Sequence, residues 1–328
     1  MRNKILNIGI VGLGEQFSDN ILPALVSTSN TRIKAVCDID EGRMKSYSRQ
    51  LGVNGYTDFN KMFTEENLDG VIAVSYPNVH YNVIKTAIRI HIPILVEKPP
   101  VESTQQLMDL LRSADDNNSR PVVVGLNFGF SESFLKLRNV IDKQELGDIL
   151  SVNIVHYADK PKSSLWGLSN IRSTLLAQAI HPLGLLLELG DIVRLENSKI
   201  VNRDNGIFMN IIIAMRSKEG EDFSASIITG SSAPYFNWRM SVFGDQGVAT
   251  IDSLNDLHIK TARDGKWWGR IWNSSPVMSG GKRAGFKQEV EDFIKLIQGK
   301  DTIHGNKLEN LFSVYKIIDE LENLYARK

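Results

Sequence analysis

The first 125 residues alternate short apolar runs with stretches whose apolar positions recur at helical spacing. ILNIGIVGLG (5–14), RIKAVCDID (32–40), DGVIAVSY (69–76), IPILVEK (92–98) and PVVVGLNFG (121–129) carry consecutive apolar residues. Such runs fit strands buried on both faces. Helical patterns fall between them, over 18–29, 41–52 (closed by Gly52), 80–90 and 103–117, with a short helical patch after Phe59. Strand and helix in alternation predict a parallel sheet covered on both sides.

The pattern changes after Asn127. A helix is expected over SFLKLRNVIDKQELG, ending near Gly147. Strand-like segments follow: ILSVNIVHY, IFMNIIIAM, DFSASIITG, FNWRMSVFG, VATIDS and DLHIKTA. Short Gly, Asp and Asn turns between them predict a mostly antiparallel sheet. One helical stretch, 171–188, interrupts these strands, and two more, near 284–298 and 307–326, close the chain. The predicted class is α/β, with a doubly wound parallel domain over 1–125 and a second α/β domain with a large open sheet over 126–328. There is no internal repeat and no low-complexity tract.

Composition narrows the function classes. Lys plus Arg and Asp plus Glu are 38 each, which gives no basic or acidic bias toward nucleic acid or a charged surface. Cys37 is the single cysteine, so no intrachain disulfide forms. The opening MRNKILNIGIVGLG is basic and then apolar, but it runs into glycines with no small-residue cleavage site. No apolar stretch approaches the roughly 20 residues that span a bilayer. A cytoplasmic protein is expected, without a nucleic-acid or membrane partner. The six histidines show no metal spacing, and no metal is expected.

Gly12, Leu13 and Gly14 follow a buried strand and precede a helix. That context suits a dinucleotide turn, where bare backbone approaches pyrophosphate and helix N–H groups face the phosphates. The third small position of G-x-G-x-x-G is occupied by Phe17, with Ser18 one residue later. Asp38 closes the second strand, where an acid suits the ribose hydroxyls of NAD and repels the 2′-phosphate of NADP. Asp40 directly precedes the next helix and is the better candidate for its cap. NAD is therefore expected in preference to NADP, with Arg43 the feature that argues the other way.

The fourth of these strands ends in Glu97, Lys98 and Pro99. With the glycine turn, Asp38 and the turn Tyr76-Pro77-Asn78 followed by His80, this E-K-P tripeptide resembles the Gfo/Idh/MocA oxidoreductases, the glucose–fructose oxidoreductase and inositol dehydrogenase family. GVATIDS (247–253) and FKQEVEDFIKLIQGKD (286–301) resemble its late strand and penultimate helix, so the likeness runs along the whole chain. The resemblance implies NAD(P)-linked oxidation of a secondary alcohol on a sugar or cyclitol, or the reverse reduction. It implies cofactor contacts from Gly12, Leu13, Gly14, Gln16, Phe17, Asp38, Ser75, Tyr76, Pro77, His80, Glu97, Lys98 and Asn127. Substrate contacts fall to Lys98, Asn127, Gln178 and His181, with help from His80. Lys98 would bond the reacting oxygen, and a desolvated ammonium there stabilises alkoxide charge while its own pKa falls.

His181 matches the family's histidine on the helical stretch 171–188, in the form Q-x-x-H with Gln178. An imidazole with a pKa near 6.5 suits proton transfer from a hydroxyl. Pro182 lacks the N–H that would bond the Gln178 carbonyl, so a kink is expected there. The chain departs from the family at Ala177 and Gly184, where acids are usual, and at Phe128, Gly129 and Phe130, where an arginine is frequent. These departures motivate two other readings: a sensor that binds dinucleotide and sugar without turnover, and an NAD-assisted glycosidase. A homodimer or homotetramer through the antiparallel sheet is implied. Trp267, Trp268 and Trp272 mark a sheet edge, with core packing favoured over a sugar-stacking or partner surface. Lys282 and Arg283 are expected on a solvated Gly-rich connection.

Overall fold

The computed structural model describes residues 4–114, 121–203, 206–231, 233, 235–263, 266–275, 280–300 and 306–327. Two compact units form. One comprises Met1–Gly125 with Gly285–Glu309, the other Leu126–Ala284 with Asn310–Lys328. The expected second domain, 126–328, is thus interrupted, and this corrects the two-segment division. The helix Phe286–Ile297 returns to the first unit, where Val290, Phe293 and Ile294 pack with Ile8, Phe17, Ile21 and Leu25. An amphipathic period announces a buried face but not the sheet that buries it.

The first unit holds six strands: β1 (Leu6–Val11), β2 (Thr31–Cys37), β3 (Asn54–Tyr56), β4 (Gly70–Ala73), β5 (Ile94–Glu97) and β6 (Val122–Gly125). Their order is β3-β2-β1-β4-β5-β6, and every pair is parallel. Strand order reverses between β1 and β4, the switch point where open α/β sheets bind ligands. Beyond β6 the returning chain pairs on the edge: Val124 N–H donates to the Asn306 carbonyl (2.8 Å), and Asn306 Nδ2 donates back to Val124 (3.1 Å). That covers backbone groups an edge strand otherwise leaves open.

Helix boundaries follow local chemistry. Asp40 caps the helix Glu41–Leu51 by accepting from Arg43 N–H (2.9 Å), and the helix ends at Gly52 in the left-handed region, φ +66°. The helix after β4 begins at Pro77, earlier than the predicted residue 80, because proline is favoured in a first helical turn. The predicted helix 18–29 is instead a π turn, Phe17–Ile21, leading into Leu22–Val26. Pro23 lacks the N–H that would bond the Asp19 carbonyl, which favours a widened turn. Residues 115–117 of the predicted helix 103–117 lie outside the described residues; the helix spans Thr104–Ala114.

The second unit holds β7 (Ile149–Tyr157), β8 (Gly190–Arg203), β9 (Gly206–Ser217), β10 (Asp222–Gly230), β11 (Asn237–Gly244), β12 (Gly247–Asp252), β13 (Asp256–Arg263) and β14 (Lys266–Asn273). They form one sheet, β14-β13-β12-β11-β7-β10-β9-β8, antiparallel except for β7 against β10. One face buries Val152, Ile154, Met209, Ile211, Met240 and Val242, against which helices pack. The other face exposes Ile212 and Phe243.

Sequence patterning missed the two edge strands, β8 and β14. In β8 the pairing shifts at Ile192/Arg194 and Leu195/Asn197, which breaks the period of two. In β14 almost every position is solvated. Trp267 and Trp268 are 72% and 60% exposed, so core packing is not their role. Trp272 instead lies beneath the Lys136 ammonium, 6.0 Å from the ring centre.

Candidate functional site

The glycine turn is built at the C-terminal end of β1. Gly12 adopts φ +93°, and a Cβ there would sit 2.2 Å from the Val74 carbonyl oxygen, so no other residue fits. Gly14 has the opposite surroundings. A Cβ there would come no closer than 3.7 Å to a neighbour, the Arg43 guanidinium. The turn therefore leaves an open cradle over bare backbone, which fits a pyrophosphate group. Leu13 is buried, and its N–H donates to Asp38 Oδ2 (2.8 Å). Asp38 Oδ1 accepts from Asp40 N–H (2.9 Å), so Asp38 braces the turn from the end of β2. Arg43 lies 3.5 Å from Asp38 and 3.4 Å from Asp40, held by two carboxylates.

Two expected cofactor residues change role. Phe17 is fully buried in the core, edge-on to Tyr47 at 5.2 Å, so it packs instead of contacting a ligand. The π turn that begins at Phe17 gives a large side chain room where the fingerprint wants a small one. Ser18 is half-buried and bonds the Glu15 carbonyl. Gln16 reaches across to β5, where its Nε2 donates to Glu97 Oε1 (2.9 Å).

The E-K-P turn follows β5. Glu97 is buried, and its Oε2 accepts from Lys98 N–H (3.2 Å). Burial raises the Glu97 pKa, against the pull of the Gln16 bond and the Lys98 charge. Burial lowers the Lys98 pKa, and the Glu97 charge opposes that fall. An ammonium with a lowered pKa at the C-terminal end of a parallel strand is suited to donate to an oxygen gaining charge.

His80 does not reach outward as expected. It is fully buried, its Nε2 accepts from Ser75 N–H (2.9 Å), and its Nδ1 lies 2.9 Å from the Pro99 carbonyl oxygen. A carbonyl only accepts, so Nδ1 carries the proton. Burial lowers the His80 pKa to about 4, so the ring stays neutral. Both ring nitrogens are engaged within the protein. His80 therefore ties the turn after β4 to the turn that carries Lys98, and contacts neither cofactor nor substrate through its ring. Pro77 is buried at the start of its helix, whereas Tyr76 is 68% exposed.

One group in this unit was not foreseen. Glu289 is buried and neither carboxyl oxygen has a hydrogen-bond partner. Burial first, then the Glu97 charge, raise its pKa well above the usual carboxylate range. The sequence carried a signal: Glu289 shares a helical face with Phe286, Val290 and Phe293.

The second unit positions His181. Its helix runs as Asn170–Thr174, a π turn Leu175–Ala179, then Ile180–Leu186. The distortion falls where Pro182 removes a donor, as predicted. Phe128 lies over the His181 ring at 4.7 Å and 30°, in the region where an arginine was expected. Gln178 Nε2 donates to the Lys160 carbonyl, so its amide is held by backbone. Asn127 is buried and its Nδ2 donates to the Ala284 carbonyl (2.8 Å). His156, near the end of β7, is a neighbour that pattern reading missed. It is 3% exposed and meets His181 edge-on at 5.3 Å and 76°. In the sequence it is one more inward position of an alternating strand, with nothing local to distinguish it.

Gly184 has a packing reason. A Cβ there would sit 2.6 Å from Leu126 Cδ1, so the acid usual in the family would require the Leu126 side chain to shift. Among the described residues no cluster of His, Cys, Asp and Glu is arranged to hold a metal, and no helix is long and apolar enough to cross a membrane.

The six-stranded parallel sheet, its glycine turn and Asp38 define a dinucleotide-binding Rossmann domain. Residues 6–126 match the family described as "Oxidoreductase family, NAD-binding Rossmann fold", Gfo/Idh/MocA. The chain is 26% identical over 154 residues to an inositol 2-dehydrogenase of Salmonella paratyphi B, 46% of each chain. The match spans about half the length of the first such relatives. Another inositol 2-dehydrogenase, from Azotobacter vinelandii, is 26% identical over 263 residues, 78% of this chain and 76% of that one. The crystal structure of a dehydrogenase from Chromobacterium violaceum superposes with a TM-score of 0.87 at 27% identity, over 99% of both chains.

Proposed function

We propose that the chain is an NAD-dependent oxidoreductase of a secondary alcohol on a sugar or cyclitol. The observation that carries this reading is Lys98. It is a lysine of lowered pKa at the end of β5, in a turn anchored by His80, within an NAD-binding fold. In the oxidation direction Lys98 donates a hydrogen bond to the reacting oxygen. His181 takes the hydroxyl proton, and a carbonyl forms as the carbinol hydrogen leaves carbon with the C–H electron pair. NAD, held at the glycine turn and Asp38, would supply the hydride acceptor. Gln178 and Asn127 have side chains engaged with backbone carbonyls, so they shape the surroundings of His181. Gly12, Leu13 and Gly14 hold the pyrophosphate, and Asp38 selects the free ribose hydroxyls of NAD. Inositol 2-dehydrogenases among the relatives favour a cyclitol as the first substrate to test.

The test is a panel of inositols, sugars and amino sugars with NAD and NADP, followed by absorbance of the reduced cofactor. Turnover is expected with NAD, and Lys98→Ala is expected to lower it by about 100- to 1,000-fold, the usual cost of losing one oxyanion donor. Turnover that survives Lys98→Ala removes that lysine from the mechanism. Tight NAD binding with no turnover across the panel supports the sensor instead, a reading motivated by Ala177, Gly184 and Phe128. Greater thermal stabilisation by NADP than by NAD refutes the role given to Asp38. The exposed face of the eight-stranded sheet, with Ile212 and Phe243, is the surface for a homodimer or homotetramer, which light scattering tests.

A further inference from the structure

We propose that His156 is a positioning residue for His181, acting through the backbone carbonyl of Gln178. The inference rests on the reading of His181 as the proton-transfer residue. Pro182 deprives the Gln178 carbonyl of its usual helical donor four residues on. His156 Nδ1 lies 3.2 Å from that oxygen. A carbonyl oxygen only accepts, so His156 is the donor and carries its proton on Nδ1. The carbonyl belongs to the π turn Leu175–Ala179, which directly precedes the helical segment of His181. π turns recur at functional sites and are weak points in the ladder of helical bonds. A donor from β7 ties this weak point to the central part of the sheet, where β7 lies between β11 and β10.

The same ring also limits where His181 can point. The edge of His156 meets His181 at 5.3 Å, and Phe128 covers His181 at 4.7 Å. Phe128 is itself edge-on to His156 at 5.4 Å. The three rings thus touch pairwise, and one of them is bonded to the backbone that carries His181. A catalytic group displaced by about 1 Å loses on the order of 100-fold in rate, so such a tether has consequences for turnover.

Two variants separate bond from shape. His156→Phe keeps a ring of similar size and removes the donor, whereas His156→Asn restores an amide N–H without the ring. The first readout is NMR of the full chain with nitrogen-labelled histidine, with signals assigned by His156→Phe and His181→Ala. His156 is expected as the Nδ1–H tautomer. The His181 signals are expected to shift in His156→Phe and to return toward wild type in His156→Asn. The second readout is turnover of myo-inositol with NAD. A 10- to 100-fold fall in kcat is expected for His156→Phe, with KM within about twofold and substantial rescue by His156→Asn. Melting curves of both variants confirm folding. An Nε2–H tautomer at His156, or His181 signals indifferent to His156→Phe, overturns the proposal whether or not myo-inositol turns over. Full activity in His181→Ala refutes the role of His181 while the tautomer result still decides the tether.

Discussion

Replacing His80 by phenylalanine should destabilise the protein at neutral pH and should cost less as the solution is acidified. The histidine is fully buried and bridges Ser75 N–H and the Pro99 carbonyl. Phenylalanine fills most of the same space but leaves both backbone groups without that partner. An orphaned buried donor or acceptor costs about 1–3 kcal/mol, so the pair costs about 2–4 kcal/mol, given that Ser75 is only half-buried. At about 2–4 °C per kcal/mol for a domain of this size, the melting temperature falls by about 4–16 °C.

The pH dependence has a definite sign. Burial depresses the His80 pKa from 6.5 to about 4, so between those values the unfolded chain binds a proton that the folded chain does not. The stabilisation is complete above pH 6.5 and is lost as pH falls toward 4. The depression corresponds to about 3 kcal/mol, similar to the cost of the two lost bonds. Wild type and variant should therefore converge near pH 4, in melting curves recorded side by side from pH 4 to 8. A gap that stays constant or widens on acidification would show that His80 is not held as a neutral bridge. Lys98 turnover parameters measured on the same variant report whether the turn after β5 has moved.

Other substitutions test other parts of the fold. Glu289→Gln should stabilise the chain increasingly as pH rises above about 4.5, because a raised folded pKa gives stability that is present below the unfolded value and lost as pH climbs. The slope for one proton is about 1.4 kcal/mol per pH unit, and melting curves that fail to separate with pH refute the unpartnered, protonated carboxyl. Gly12→Ala should abolish thermal stabilisation by NAD and lower stability by more than 1 kcal/mol, since its Cβ would meet the Val74 carbonyl at 2.2 Å. Gly184→Asp should fold poorly, and the double change with Leu126→Ala should recover soluble protein, because the obstruction is the Leu126 side chain at 2.6 Å.

The parallel sheet was legible because both its faces are buried, and buried strands read as unbroken apolar runs. Ile149–Tyr157 and its central neighbours in the second sheet were legible through alternation. The edge strands β8 and β14 were not, since solvation and shifted pairing erase the period of two. The motif residues were legible as positions but not as roles. Phe17 and His80 both stand where a ligand contact is expected, yet each turns into the protein. Local sequence cannot report which way a side chain faces once a π turn or a helix start shifts the phase. Likewise the helix Phe286–Ile297 announced its apolar face, but only the packing shows that it covers the first sheet.

Burial sorts the ionisable groups of the first unit by a single comparison. Glu289 lies in the first turn of its helix, where the helix dipole favours a carboxylate by about 0.3–1 kcal/mol. Desolvating an ion costs several kcal/mol, so burial wins and raises the carboxyl pKa well above its usual range. Lys98 meets the same penalty, opposed by the adjacent Glu97 charge. His80 and His156, both buried, answer it differently. A neutral imidazole presents a donor and an acceptor on opposite sides of a rigid ring, without charge to desolvate. His80 uses both, and its donor bond is to a carbonyl one residue from Lys98. His156 uses its donor on a carbonyl three residues from His181. Each proposed reactive side chain is thus held through nearby backbone by a buried imidazole. Asparagine could offer the same bonds, but only on a flexible amide that must choose its orientation. A ring fixed by packing removes that freedom, which is what positioning a reactive group demands.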